Sequence, residues 1–127
     1  MSRDFPEAVS PSAIGAGKTI AIVASVYNSE YVDAMLDAAS AELDAVMPEA
    51  KRPIFRVPGA YEIPSVVSYL AENARPDAIL ALGVIIQGAT SHADLVGESV
   101  TTALQDIAVA YHLPVIHEVL LLSLIHI

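Results

Sequence analysis

The sequence contains no cysteine and no tryptophan, and it has few basic residues. Without cysteine, neither a disulfide nor a thiolate metal site can form. Six Lys and Arg residues against 15 Asp and Glu give a formal net charge of −9, which argues against nucleic acid as the main partner. The sequence also lacks an apolar run of the roughly 20 residues that cross a bilayer, and a basic-then-apolar secretory signal. We therefore expect a cytoplasmic protein that binds neither nucleic acid nor membranes.

Hydrophobic residues make up 54% of the 127 positions, which is enough for one domain with a core. Short apolar runs, typical of strands buried on both faces, alternate with stripes spaced three and four residues apart, typical of helices. The predicted strands are 19–27, 53–57, 77–86 and 114–122, and the predicted helices are 29–47, about 64–72 and 92–111. This β-α-β-α-β-α-β order predicts an α/β fold in which helices cover both faces of a parallel sheet.

The two ends of the chain differ from this central part. Residues 1–18 place prolines and glycines among small residues, so we expect a flexible arm before a domain at 19–122. The segment Gly15-Ala-Gly-Lys-Thr19 resembles a phosphate loop, but Ser12 stands at the first glycine position and the segment precedes a strand, so we reject nucleotide binding there.

Three helices cannot evenly cover a four-stranded sheet. We therefore expect an exposed apolar patch, covered by a partner or by further chain.

Polar and aromatic side chains follow the predicted strands where each one ends. Tyr27 ends the first strand, Tyr61 and Glu62 follow the second, and His92 follows the third. The carboxyl ends of parallel strands meet at one edge, where ligands bind in open α/β sheets. Residues 87–91, a turn that contains Gly88, lead into a helix whose Ser91-x-x-Asp94 spacing is typical of a capped start, and such a segment favours an anion. These features predict a pocket for a ring-bearing polar substrate and a phosphate, with an imidazole able to exchange protons near neutral pH.

Four segments, in order and at matching spacing, resemble the lumazine synthase family. They are Tyr27-Asn28 and residues 57–64, 83–94 and 113–120. The resemblance implies a three-layer α/β/α, flavodoxin-like fold with a four-stranded parallel sheet. It implies condensation of 5-amino-6-(D-ribitylamino)uracil with 3,4-dihydroxy-2-butanone 4-phosphate to 6,7-dimethyl-8-ribityllumazine, the penultimate step of riboflavin biosynthesis, without a metal or organic cofactor. It also implies self-association into pentamers, or into hollow icosahedral shells, with sites between subunits.

The resemblance further implies a set of substrate-binding residues. Tyr27 takes the position of an aromatic residue that stacks on the pyrimidine, and stacking suits a planar heterocycle. The remaining positions are Asn28 beside it, Ala60, Tyr61 and Glu62 for the ribityl chain, and the backbone of Val84, Ile85 and Ile86 for the pyrimidine edge.

The same resemblance implies the residues that carry the chemistry. Gly88, Ala89 and Thr90 match part of the phosphate site. His92 matches a histidine that moves protons, and Asp94 is near enough in sequence to orient it. One such general acid or base contributes roughly 10²–10⁴-fold to a rate.

The chain departs from the family pattern at several positions. Gln87 stands where many members have a basic residue, and Ala93 where many have an aromatic. His117 replaces a residue that covers the ring from the neighbouring subunit, and it is equally compatible with an ordinary edge-strand residue. Family members continue into helices that carry an arginine and a lysine for the phosphate, whereas no arginine follows Arg75 here. We therefore expect a C-terminally truncated chain that lacks its last helices and ends in a foreign tail, 123–127.

Two other functions are compatible with these observations. The chain without its phosphate-binding cations fits a non-catalytic shell or flavin-binding subunit, or an inactive fragment. A flavodoxin-like electron carrier is weaker, because the Ser/Thr-rich phosphate loop after the first strand is missing. No two of the four histidines have convincing metal-ligand spacing, so we expect no metal site.

Overall fold

The computed structural model describes residues 15–123 of the chain. Most of the predicted flexible arm, residues 1–14, and most of the predicted foreign tail, residues 124–127, lie outside the described residues. Residues 15–19, the rejected phosphate-loop segment, come before the first strand, as predicted.

Four strands and three helices alternate along the chain, which confirms the predicted α/β order. They are β1 (Ile20–Ser25), α1 (Ser29–Val46), β2 (Ile54–Val57), α2 (Ile63–Asn73), β3 (Ala78–Gln87), α3 (His92–Tyr111) and β4 (Val115–Ser123). A 3₁₀ turn, Ala60–Glu62, precedes α2 and was not predicted. Pro64 lies in the first turn of α2, where its missing N–H costs nothing.

The start of α3 is where the sequence predicts it, but its capping differs. Ser91 is the N-cap residue, yet its hydroxyl makes no capping hydrogen bond. The Ser91 carbonyl accepts from the Leu95 N–H at 3.1 Å, and the Thr90 hydroxyl accepts from the His92 N–H at 3.4 Å. The expected Ser-x-x-Asp box therefore marks the helix start without forming its side-chain bond.

The sheet is parallel throughout, with the strand order β2-β1-β3-β4. The two central strands, β1 and β3, pair from Ile20 opposite Ala78 to Ala24 opposite Leu82. Their apolar runs are nearly unbroken because helices cover both faces, and Ile22, on one face, is fully buried. The parallel arrangement brings the ends of β1, β2 and β3 to one edge, which is called the carboxyl edge below.

The helices divide unequally between the two faces of the sheet. Both α2 and α3 pack on one face, where Val67, Val100 and Leu104 meet the sheet. On the other face α1 is the one helix of the described residues, and Val32 in its first turn is fully buried there. This helix leaves β4 uncovered on that side, where Ile116 is 43% and Leu120 39% exposed. The predicted apolar patch is thus present in the described part of the chain. Within residues 15–123, no helix is long and apolar enough to cross a membrane.

Candidate active site

A cleft of about 230 Å³ opens at the carboxyl edge, between the ends of β1 and β3, the 3₁₀ turn and the start of α3. Nine of the predicted site residues line it, together with two that were not predicted. The predicted ones are Tyr27, Asn28, Ala60, Tyr61, Glu62, Val84, Ile85, Ile86 and His92, and the others are Gly59 and Val96.

Tyr27 is held by the segment that follows β2. The Val26 N–H donates to the Pro58 carbonyl at 3.0 Å, and the Tyr27 N–H donates to the same oxygen at 2.8 Å. The Tyr27 ring rests on Gly59, since a Cβ at that position would lie only 2.9 Å from the ring Cδ2. The side chain is nevertheless 64% exposed. An accessible aromatic face on an anchored backbone can stack on a planar ring.

Asn28 joins the end of β1 to β3. Its backbone is left-handed, with φ of 61°, and its carbonyl accepts from the Tyr31 and Val32 amides that begin α1. Its side chain does not cap the helix. Instead, Nδ2 donates to the Val84 carbonyl at 2.8 Å. This bond sets the width of the cleft between Tyr27 and the backbone of β3.

The 3₁₀ turn carries Tyr61 and Glu62 into the cleft, and Gly83 allows it to lie close to β3. A Cβ on Gly83 would lie 3.0 Å from Ile63 Cδ1 and 3.4 Å from Ala60 Cβ. Ile63 and Ala60 are both buried, so this contact fixes the turn against the sheet. A side chain at position 83 would therefore push the Tyr61–Glu62 pair away from the cleft.

His92 is the first residue of α3 and faces the cleft beside Tyr61 and Val96. The same three residues, with Leu95 and Ser99, line an adjoining hollow of about 430 Å³. His92 and Tyr61 therefore stand between two adjoining spaces, both open to solvent. An imidazole in this place can reach a molecule bound in either space.

Asp94 does not accompany His92, contrary to the expectation from sequence proximity. It lines a different hollow of about 660 Å³, between α3 and β4, together with Glu98 and Thr101. Residues two apart on a helix point to different sides, because neighbours on one face are three or four apart. Asp94 therefore does not orient the His92 imidazole within one chain.

The predicted phosphate residues lie beside the cleft without lining it. Gly88, Ala89 and Thr90 form an exposed link between β3 and α3, just before the first turn of α3. The N–H groups of a first helical turn have no intrahelical partner and attract anions. No Lys or Arg is among the residues that line the cleft. Within this chain, an anion next to the cleft would meet backbone amides and a hydroxyl.

His117 lies outside the cleft, on β4 beneath α3. Its Nδ1 accepts from the Val119 N–H at 3.2 Å, and its Nε2 is 2.8 Å from the Thr101 hydroxyl oxygen. Because Nδ1 accepts from an amide, the neutral ring carries its proton on Nε2 and donates it to Thr101. Within one chain this residue links β4 to α3. Its expected contact with a ring across a subunit boundary stays a prediction.

The two lining residues that sequence reasoning missed had weak signals. Val96 is four residues after His92, so the helical period places both on one face. Gly59 follows Pro58 in a strand-closing pair, which indicates a turn but not a ring contact. Within residues 15–123, no three His, Asp or Glu side chains come together in a way that could hold a metal ion.

Comparison with known proteins identifies the family of the chain. The family model described as 6,7-dimethyl-8-ribityllumazine synthase matches residues 17–126. The chain is 40% identical over 116 residues to the 6,7-dimethyl-8-ribityllumazine synthase of Methylorubrum populi, covering 87% of this chain and 66% of that protein. It is 41% identical over 110 residues to that of Salinispora arenicola, covering 87% and 64%. With that of Thermococcus onnurineus it shares 37% over 106 residues, covering 84% and 69%. The chain thus spans about two thirds of the length of these relatives.

Proposed function

Because the chain belongs to the 6,7-dimethyl-8-ribityllumazine synthase family, we propose that it condenses 5-amino-6-(D-ribitylamino)uracil with 3,4-dihydroxy-2-butanone 4-phosphate. The product is 6,7-dimethyl-8-ribityllumazine, made in the penultimate step of riboflavin biosynthesis with loss of phosphate and water. One observation carries this proposal: a stacking ring, a carboxylate and an imidazole converge on one cleft, as Tyr27, Glu62 and His92. The cysteine-free sequence fits a cytoplasmic location, which we propose as well.

The pyrimidine fits between Tyr27 and the end of β3. The N–H and C=O of one strand residue point to the same neighbouring strand, and those of the next residue point to the opposite one. The Ile79 N–H donates to Pro114, towards β4, so the backbone groups of Val84 and Ile86 point the other way, past the end of β1. Asn28 already occupies the Val84 carbonyl. We therefore assign recognition of the pyrimidine edge chiefly to the backbone of Ile86, and the ribityl hydroxyls to Glu62.

His92 serves as the general acid and base. The amine of the pyrimidine is already a nucleophile, so holding the two substrates side by side supplies much of the rate. The His92 imidazole then moves protons during imine formation and phosphate elimination. The phosphate of the second substrate lies at residues 88–90, against the first turn of α3. A permanent counter-charge has to come from outside the residues that line the cleft, because none of them is Lys or Arg.

A second copy of the chain covers the rim of the cleft. Three large side chains are largely exposed there, at 64% for Tyr27, 64% for Tyr61 and 62% for Leu95. Exposed apolar groups clustered around a polar site are typical of an interaction surface. Together with the family membership, they support self-association, to a pentamer or a larger shell, with the site between neighbouring subunits.

A second candidate function is a shell or flavin-binding subunit without turnover. The specific observation in its favour is that no Lys or Arg lines the cleft, since ring and ribityl binding need only Tyr27, Glu62 and the β3 backbone. A ligand that shares the ring and the ribityl chain but carries no phosphate would then bind normally.

The test replaces His92 by Gln and follows formation of the fluorescent lumazine. We expect turnover to fall by about 10²-fold or more, while the affinity for the lumazine product stays close to that of the parent. Asp94→Asn is the matched control, because Asp94 belongs to the same helical turn but lines the other hollow. Normal turnover by His92→Gln contradicts the assigned role. Tight lumazine or flavin binding by a parent protein that makes no product favours the second function.

A further inference from the structure

We propose that Arg56, which does not line the cleft, is a positioning residue that holds Tyr27 in place for the ring of the substrate. The inference rests on the proposed function only for the identity of that ring. It concerns the β1 exit, defined as residues 24–28, where the chain leaves β1 and enters α1.

The Arg56 guanidinium contacts the last two residues of β1 and the first part of α1. Its Nε donates to the Ala24 carbonyl at 3.2 Å, and its Nη2 donates to the Ser25 carbonyl at 2.9 Å. The same Nη2 pairs with Asp33 Oδ1 at 2.9 Å. Since Arg56 lies directly opposite Ala24 in the sheet, its side chain folds over the end of the neighbouring strand. One guanidinium therefore joins β2, β1 and α1, two residues before Tyr27.

The residues that follow Arg56 continue this attachment. The Pro58 carbonyl accepts from the amides of Val26 and Tyr27, and Gly59 supports the Tyr27 ring. The four residues 24–27 are thus held by the four residues 56–59. In this attachment the Arg56 side chain binds the carbonyls of Ala24 and Ser25, and main-chain atoms of residues 57–59 hold Val26 and Tyr27. The planar guanidinium of arginine can donate to two carbonyls and a carboxylate at once, whereas a lysine ammonium is a compact point charge.

Arg52 provides a matched comparison within the same molecule. It precedes β2 by two residues and also binds α1, through Asp44 Oδ1 at 2.6 Å and the Ser40 carbonyl at 3.2 Å. Both arginines therefore pair with one aspartate, and Arg52 binds one main-chain carbonyl where Arg56 binds two. The Arg52 contacts lie towards the C-terminal end of α1, away from the cleft, and none of them involves the β1 exit. Any effect specific to Tyr27 should follow Arg56 and not Arg52.

The first experiment reads the position of residue 27 without depending on catalysis. The sequence has no tryptophan, so Tyr27→Trp provides a single fluorescent reporter at the site. In this background, Arg56→Gln should increase acrylamide quenching and lower the fluorescence anisotropy, whereas Arg52→Gln leaves both unchanged. We expect both arginine variants to lower the melting temperature by a similar amount, about 2–6 °C, so that lost stability alone does not explain the difference.

Two further variants separate the contacts of Arg56. Asp33→Asn removes the ion pair but keeps the bonds to Ala24 and Ser25, and it should leave the reporter signal unchanged. Arg56→Lys keeps the charge but loses the fork, and it should behave like Arg56→Gln. A lysine variant with parental quenching would overturn the assignment to the carbonyl contacts.

The second experiment measures kinetics with Tyr27 present. We expect Arg56→Gln to raise the KM for ribitylaminouracil about tenfold, the effect of losing one hydrogen bond from a charged donor, while kcat and the KM for the butanone phosphate change little. Arg52→Gln should leave all three constants unchanged. If the parent protein shows no turnover, the proposed function fails, but the tryptophan reporter still tests the positioning. If the two arginine variants change the reporter equally, or neither changes it, the positioning role is wrong whatever the activity.

Discussion

The β1 exit and residues 88–92, called the β3 exit, both leave central strands at the carboxyl edge, but they are held very differently. The β1 exit makes hydrogen bonds to residues 56–58 and, through Asn28, to Val84. The β3 exit is exposed, and its hydrogen bonds within the described residues are local ones, from His92 to Thr90 and from Leu95 to Ser91. One side of the cleft is therefore built by bonds between strands that are distant in sequence, and the other by a short link.

This difference indicates what each side contributes to binding. A preformed surface loses little conformational freedom when a ligand arrives, whereas an open link has to be ordered by the ligand or by a partner. We infer that affinity for the ring is built into the fold of one chain. For the phosphate of the proposed substrate, we infer that affinity depends on groups that reach the β3 exit from outside the cleft residues.

The largest expected effect is a difference in stability between alanine variants of two glycines. Gly83 lies within β3, and Gly88 lies just after its end. Gly83→Ala places a methyl group 3.0 Å from buried Ile63, and we expect a loss of about 1–3 kcal/mol in the free energy of unfolding. Gly88→Ala meets no atom within 4 Å, and we expect no loss, or a gain of at most about 1 kcal/mol. Urea unfolding of the two variants measures this difference. Equal destabilisation would show that the β3 exit is as tightly packed as the strand before it.

A smaller effect tests the bond that connects the two sides. Asn28→Gly removes the bond to Val84 while keeping a residue that accepts a positive φ, and we expect a loss of about 0.5–1.5 kcal/mol. Asn28→Ala should lose about 1 kcal/mol more, because alanine is strained in the left-handed region. Urea unfolding compares the two, and hydrogen exchange should show faster exchange of the Val26 and Tyr27 amides in both. A glycine variant less stable than the alanine variant would mean that backbone strain at this position is negligible.

The sequence predicts much of this arrangement because topology limits which segments can meet. Apolar runs locate the strands, and once the sheet is parallel their carboxyl ends share one edge. This is why Tyr27, Glu62 and His92 could be placed together before the structure was known. The family resemblance added their roles.

What the sequence could not predict depends on register and on side-chain direction. Arg56 reads as one basic residue in a short strand, and its bonds to Ala24 and Ser25 follow from the pairing of β2 with β1. The contact of His117 with Thr101 likewise depends on how α3 packs on β4. Asp94 is a different case, since the helical period already separates it from His92, and sequence proximity was a poor guide.

The smallest expected change in stability concerns Gly59. At this position the contribution of the β1 exit to stability can be separated from its contribution to ring binding. The backbone of Gly59 is extended, with φ of −128°, so alanine fits the backbone there. Its methyl group would meet the Tyr27 ring at 2.9 Å, and a side chain that is 64% exposed can move aside at little cost. We therefore expect Gly59→Ala to change the free energy of unfolding by less than about 0.5 kcal/mol.

The same variant should nevertheless weaken ring binding, because the displaced aromatic face no longer matches the pyrimidine. Stacking is worth about 0.5–1.5 kcal/mol, so affinity for the lumazine product should fall about two- to tenfold, while affinity for inorganic phosphate should not change. Fluorescence titration of the lumazine and competition by phosphate measure the two affinities. If both fall together, the two sides of the cleft are coupled through more than Asn28. If neither falls, the Tyr27 ring does not need its support on Gly59, and the difference between the two exits has no consequence for binding.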